Sequence, residues 1–177
     1  MKLLELLDNI LRELSCILHE VDAKNAEKLA EGILSSDRIF LAGMGRSGLV
    51  ARSFAMRLMQ IGLQVYVVGD VTTPAISKGD LLIAISGSGE TSITHHIASA
   101  AKSFGARVFL LTSQPISRMA KISDLIVVLP DASQPVLALK SAFESAAHIF
   151  LDAIVVLMIE KTGMTEQEMM KRHSNLE

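Results

Sequence analysis

The chain has 177 residues, 50% of them apolar, with 17 Lys and Arg against 19 Asp and Glu and a net charge of -2. That length fits one domain with a well-filled core, and the charge balance argues against a nucleic-acid surface. With no Trp and one Tyr there is little aromatic material to stack bases or sugar rings, and the single cysteine, Cys16, forms no intrachain disulfide and suits a reducing cytoplasm.

The opening MKLLELLDNILREL is interrupted by Glu5, Asp8, Arg12 and Glu13, so it reads as a helix of the folded domain and not as a secretion signal. Leu4, Leu7, Leu11, Leu14, Leu18 and Val21 repeat at alternating spacings of three and four. Such a seam packs on its own domain and, in an oligomer, on another subunit. A second helix is expected from about Asp22 to Ser35. Five strand-like runs follow, at Arg38–Ala42, Gln64–Val68, Leu81–Ile85, Arg107–Leu111 and Asp124–Leu129. They are near-continuously apolar, the mark of parallel strands covered on both faces. Helices are expected between them at Ser47–Ile61, Thr91–Phe104 and Ile116–Ile122. A long helix from Leu139 to Lys161 and a short one from Thr165 close the chain. The apolar stretch IFLDAIVVLMI from Ile149 is too short to span a bilayer and carries Asp152, so a buried helix and no membrane partner are expected.

The implied fold is a single α/β domain, a three-layer α/β/α sandwich on a five-stranded parallel sheet. Helices within residues 1–36 and 138–172 would pack on the sheet and on other subunits. In the flavodoxin-like order 2-1-3-4-5, strands one and three adjoin at the switch point, where ligands bind outside the strand carboxyl ends. The two glycine-rich loops of the chain, AGMGRSG from Ala42 and SGSGETS from Ser86, follow these two strands.

Glycines let backbone N–H groups approach a ligand closely, and the helix that follows adds its positive end. Neither loop ends in Gly-Lys-Ser/Thr, so a nucleoside triphosphate is not the natural guest. Gly43, Gly45 and Gly48 do match the dinucleotide fingerprint, and Asp70 lies about 22 residues on, near where a ribose-binding acid belongs. Against that reading, two helices precede the first strand and the second loop has no task in a dinucleotide site. That loop offers the hydroxyls of Ser86, Ser88, Thr91 and Ser92 beside a helix start, with Gly87, Gly89 and Glu90 between them. One hydroxyl suffices to cap a helix; four suit a phosphate dianion. Ser47 adds a donor from the first loop. On the long helix Glu144, His148 and Asp152 form a polar stripe, and Glu144, nearest the helix start, is the candidate general base. His95 and His96 are adjacent and point apart, and no residue spacing suggests a metal site.

At these residues the chain resembles the SIS (sugar isomerase) domain family, through AGMGRSG, ISGSGET and Glu144. It is similar over nearly its full length to the 6-phospho-3-hexuloisomerase branch, through FAMRLM from Phe54, VGDVTTPAI from Val68, Phe143-Glu144, IFLDA from Ile149 and the ending RHSNLE. The resemblance implies that Ser47 and the loop Ser86, Gly87, Ser88, Gly89, Glu90 and Thr91 bind a sugar phosphate. It implies Glu144 as base, His173 as a histidine that approaches an active site, no cofactor or metal, and a cytoplasmic homo-oligomer, a tetramer or dimer. The reaction implied joins D-arabino-hex-3-ulose 6-phosphate and D-fructose 6-phosphate; the alternatives are another phosphosugar isomerase or a non-catalytic sugar-phosphate binder. Two departures stand out. Gln60 replaces a family histidine and cannot shuttle a proton at neutral pH. Leu137-Ala138-Leu139-Lys140-Ser141 replaces a Met-Gly-Thr segment, which narrows the pocket mouth and brings Lys140 as a cation near the phosphate.

Overall fold

The computed structural model describes residues 2–133 and 135–176, with the backbone alone for Lys140. Strands β1 (Ile39–Gly43), β2 (Val65–Val67), β3 (Leu81–Ile85), β4 (Arg107–Thr112) and β5 (Leu125–Val128) form one sheet. All pairs are parallel and the order is β2-β1-β3-β4-β5, as the sequence predicts. Register is fixed by the central strand, where Leu81 lies opposite Ile39 on one side and Arg107 on the other.

Alternate residues of each strand sort to opposite faces. Ile39, Leu41, Leu81, Ile83, Ile85, Phe109 and Leu111 enter the larger core beneath α1 (Leu3–His19), α2 (Ala23–Leu34), α3 (Gly45–Gln60) and α5 (Ala142–Thr162). Phe40, Ala42, Leu82 and Val108 face α4 (Ser92–Ser103) on the other side. Burial on both faces is why these runs carry no polar alternation. The helices begin and end on readable signals: Asp22 accepts the Lys24 N–H at 2.8 Å to cap α2, and Gly163, at φ 69°, closes α5. Thr165 and Glu168 form a reciprocal capping box at the start of the short α6 (Glu166–Met170).

Two expectations need correction. Ile116–Ile122 is not an α-helix: only Ala120–Ile122 forms a 3-10 turn. The segment before it is drawn toward the Ser86 loop, with the Met119 N–H donating to Gly89 O and Arg118 to Glu90. The long helix begins at Ala142 and not at Leu139, because Leu139 takes a left-handed backbone, φ 56°, that an α-helix cannot continue. The seam of α1 divides. Leu14 packs into the core, whereas Leu4, Leu7 and Leu11 stay exposed together with Leu3. As for α5, it is 21 residues long, enough by length and composition to cross a bilayer, and half of its most apolar stretch is buried inside the domain.

The two ends of the sheet differ in kind. At the amino end, Asp80, just before β3, is 1% exposed and accepts hydrogen bonds from Arg38 Nε and Nη2 and from the Ser77 N–H. At the carboxyl end lie the two glycine-rich loops.

Candidate active site

The loop between β1 and α3 is shaped by close approach. A Cβ on Gly43 would lie 2.8 Å from the Ser47 carbonyl oxygen, so only glycine lets the first turn of α3 lean against the end of β1. This places Ser47 inward and Arg46 outward. Next door, the loop after β3 turns at Gly89, φ +64°, where an added Cβ would fall on Ser117 Oγ. Two carbonyls of this loop are occupied from behind. Gly87 O accepts the Ser113 N–H at 3.0 Å, Thr112 Oγ1 at 3.1 Å and Ser113 Oγ at 2.9 Å, and Gly89 O accepts the Met119 N–H. In a planar trans peptide the N–H points opposite to the C=O, so the Ser88 and Glu90 amides are turned away from that support. A loop with these two carbonyls engaged is suited to an anion.

The two loops and the start of α5 enclose a cleft of about 270 Å³, lined by Met44, Ser47, Ile85, Ser86, Gly87, Ser88, Thr91, Ser113, Leu139, Phe143 and Glu144. Six of the residues expected at the site, Ser47, Ser86, Gly87, Ser88, Thr91 and Glu144, thus share one wall-to-wall space. The hydroxyls are not consumed by capping: Thr91 precedes α4 without a side-chain cap bond, and Ser86 Oγ lies 3.3 Å from Thr91 Oγ1. Ser88 Oγ accepts the Glu90 N–H at 3.2 Å. Glu144, in the first turn of α5 and 19% exposed at its side chain, accepts Ser47 Oγ on Oε1 at 3.2 Å and has Arg46 Nε 3.5 Å from Oε2. Ser47 therefore orients the carboxylate instead of standing free beside the hydroxyl loop.

Other expected residues lie elsewhere. Gly89 shapes the loop without lining the cleft. Glu90 turns outward, where the Arg118 N–H and guanidinium hold its carboxyl below the usual glutamate range. His173 is exposed in the turn after α6, with Nδ1 3.1 Å from Ser174 O, and is not among the cleft residues. Gln60 is buried at the far end of α3, about 20 Å along the helix from Ser47, and accepts Arg57 Nη1 at 2.9 Å. It does not line this cleft, so the loss of a histidine there leaves the Glu144 geometry untouched. The Lys140 side chain, expected as a cation near the phosphate, lies outside the described residues. Asp70, the acid a dinucleotide site would aim at ribose, is paired with Arg52 Nη2 at 2.8 Å. His148 and Asp152 continue the stripe below Glu144 but are exposed, 4.0 Å apart, with Arg57 3.5 Å from Asp152. Among the described residues no group of three or more His, Cys, Asp or Glu is placed to hold a metal ion.

Two participants were not singled out from the sequence. Arg46 sits inside the AGMGRSG motif, but nothing local says that it meets the carboxylate of a helix almost 100 residues later. Ser113 follows β4 as Ser86 follows β3, and the pattern of a hydroxyl after a buried strand was the signal that could have found it.

Comparison with known proteins identifies the family. Residues 32–157 match the SIS domain. A 3-hexulose-6-phosphate isomerase of Bacillus subtilis (strain 168) is 40% identical over 185 residues, covering 100% of both chains. One of Mycobacterium gastri is 40% identical over 184 residues, covering 96% of this chain and 92% of that one. A crystal structure from Methanococcus jannaschii, described as inferring a 3-hexulose-6-phosphate isomerase function, is 34% identical with a TM-score of 0.90, covering 98% of this chain and 99% of that one.

Proposed function

The chain belongs to the SIS domain family, and from that membership and the cleft we propose that it is an isomerase interconverting D-arabino-hex-3-ulose 6-phosphate and D-fructose 6-phosphate. One observation carries the reading: a single helix-borne carboxylate, Glu144, faces a turn rich in hydroxyls and amides across a cleft of about 270 Å³.

The phosphate binds at Ser86, Ser88 and Thr91 against the start of α4, each charge-assisted hydrogen bond contributing roughly 1.5–3 kcal/mol. Anchoring that end holds the carbon chain at a fixed reach from Glu144. The carboxylate removes the proton from C2 of the open-chain 3-ketose, and the electron pair left behind gives a 2,3-enediolate. Return of a proton to C3 leaves the carbonyl at C2. The hydroxyl proton passes from O2 to O3, the proton held on Glu144 exchanges with solvent before one is returned to carbon, and the electron pair stays on the substrate, so the step needs no external oxidant or reductant. Arg46, beside Glu144, and the amino ends of α3 and α4 steady the negative charge on the enediolate oxygens.

Homo-oligomerisation belongs to the same proposal. Leu3, Leu4, Leu7 and Leu11 form an exposed apolar row on α1, and Met56, Ile149 and Val156 are exposed on α3 and α5. A catalytic part for His173 requires the cleft of another subunit. Light scattering on the eluting protein decides the subunit number.

The direct test of the chemistry is hydrogen exchange at carbon. Fructose 6-phosphate incubated with the protein in heavy water loses its C3 proton signal in the NMR spectrum. Binding of the sugar with no exchange would overturn the isomerase reading in favour of a sensor. For the phosphate site, Ser86→Ala is expected to raise the dissociation constant of fructose 6-phosphate by about 10- to 100-fold, read by calorimetry, with a much smaller change in kcat.

A further inference from the structure

Glu13 lies midway along α1 on the face that packs into the domain, next to Leu14 and one turn before Ile17, both core residues. It is 5% exposed. Its Oε2 accepts the backbone N–H groups of Val136, at 3.1 Å, and Leu137, at 3.0 Å, while Oε1 is buried with no hydrogen-bond partner among the described residues. A carboxylate oxygen left unpaired away from water is costly, and an apolar residue would fill the same place without that cost. What the carboxylate alone provides is an acceptor for two amides of a segment more than 120 residues away.

That segment is the one that walls the cleft. It runs from β5 into α5, and two residues after Leu137 comes Leu139, left-handed at φ 56° and 99% exposed. Leu139 and Phe143 line the substrate cleft on one side and, on the other, a cavity of about 570 Å³ that Glu13 and Ile17 also line. The wall therefore has open space behind it. It is tied at one end by Glu13 and at the other by Arg46, whose Nη2 donates to Ser141 O at 3.3 Å. A non-glycine residue in the left-handed region persists only where its surroundings hold it.

We infer that Glu13 is a positioning residue for the isomerase site: by accepting the Val136 and Leu137 N–H groups it keeps the Leu139 wall against the substrate and couples sugar-phosphate affinity to the N-terminal helix. The inference rests on the isomerase reading of the cleft. Without the clasp the wall relaxes into the cavity behind it, whereas Glu144, Ser86 and Thr91 keep their places on α5 and at the start of α4. Substrate affinity suffers and the chemical step does not.

Two variants separate this from a purely structural role. Glu13→Met fills the buried space but accepts neither amide; Glu13→Gln keeps an acceptor oxygen. The expected result is a KM for fructose 6-phosphate raised about 10-fold in Glu13→Met with kcat within about threefold of the parent, and a near-parental KM in Glu13→Gln. In parallel, amide hydrogen exchange at Val136 and Leu137 should accelerate in Glu13→Met only. An unchanged KM in Glu13→Met, or a loss of thermal stability with KM intact, overturns the inference. If the parent protein shows no isomerisation at all, the functional reading has failed, and the amide exchange still decides whether the clasp exists.

Discussion

Glu144→Gln is expected to lower kcat by about 10²- to 10⁴-fold, the range over which a positioned general base accelerates proton transfer. The dissociation constant of fructose 6-phosphate should stay within about threefold of its parental value, because the change removes an interaction made in the transition state and not one shared with the ground state. Glutamine has the same reach as glutamate and can still accept Ser47 Oγ, so the cleft keeps its shape. What it lacks is basicity. The same variant should abolish deuterium uptake at C3, which distinguishes loss of the base from slow product release. Turnover at or near the parental rate would remove Glu144 from the mechanism, and with it the role of Arg46 and Ser47 in orienting it.

The largest effect on stability is expected at the opposite end of the sheet. Burial alone would push the Asp80 carboxyl up, but the Arg38 guanidinium and the Ser77 N–H and hydroxyl outweigh it and hold the pKa below the usual aspartate range. Asp80→Asn leaves Arg38 without its anion while Arg38 is still mostly shielded, at 26% side-chain exposure. A cost of about 3 kcal/mol is expected, near the lower end of what removing one partner of a buried pair produces. For a chain of this size that lowers Tm by roughly 6–12 °C. The pH dependence has a definite sign. The carboxyl binds a proton less readily in the folded than in the unfolded chain. Its contribution is therefore full above the unfolded value, near pH 4, and disappears as pH falls through the folded value. The gap in Tm between parent and Asp80→Asn should accordingly narrow in acid and stay constant from pH 5 to 7. Catalytic constants at 25 °C should not change, because Asp80 and the cleft lie at opposite ends of β3. A variant with normal Tm and reduced kcat would contradict this division of the molecule.

The sheet was legible because a parallel strand buried on both faces leaves an unmistakable apolar run, and Leu81–Ile85 is found with the limits the sequence gives. The cleft was legible because the loops that follow β1 and β3 are composed for close backbone approach, and the switch-point rule sets them side by side. Glu144 was legible as the polar residue nearest the start of an otherwise apolar helix. What escaped was decided by partners far away in the chain. Nothing around Ile116 tells that the Arg118 and Met119 amides are taken by Glu90 and Gly89, which prevents a helix. Nothing around Glu13 tells that it is buried, since the same residue reads equally well as a charge that merely breaks an apolar run. His173 carried a role by resemblance alone, and in the isolated subunit it stands in the open.

The way the Ser86 turn is braced has a consequence for timing. Its Gly87 and Gly89 carbonyls are engaged by Thr112, Ser113 and Met119 with no sugar present, so the proposed anion cradle is set when the chain folds and little motion is frozen on encounter. Inorganic phosphate, a guest with no carbon skeleton, should then find the same seat ready-made and compete with the sugar for it.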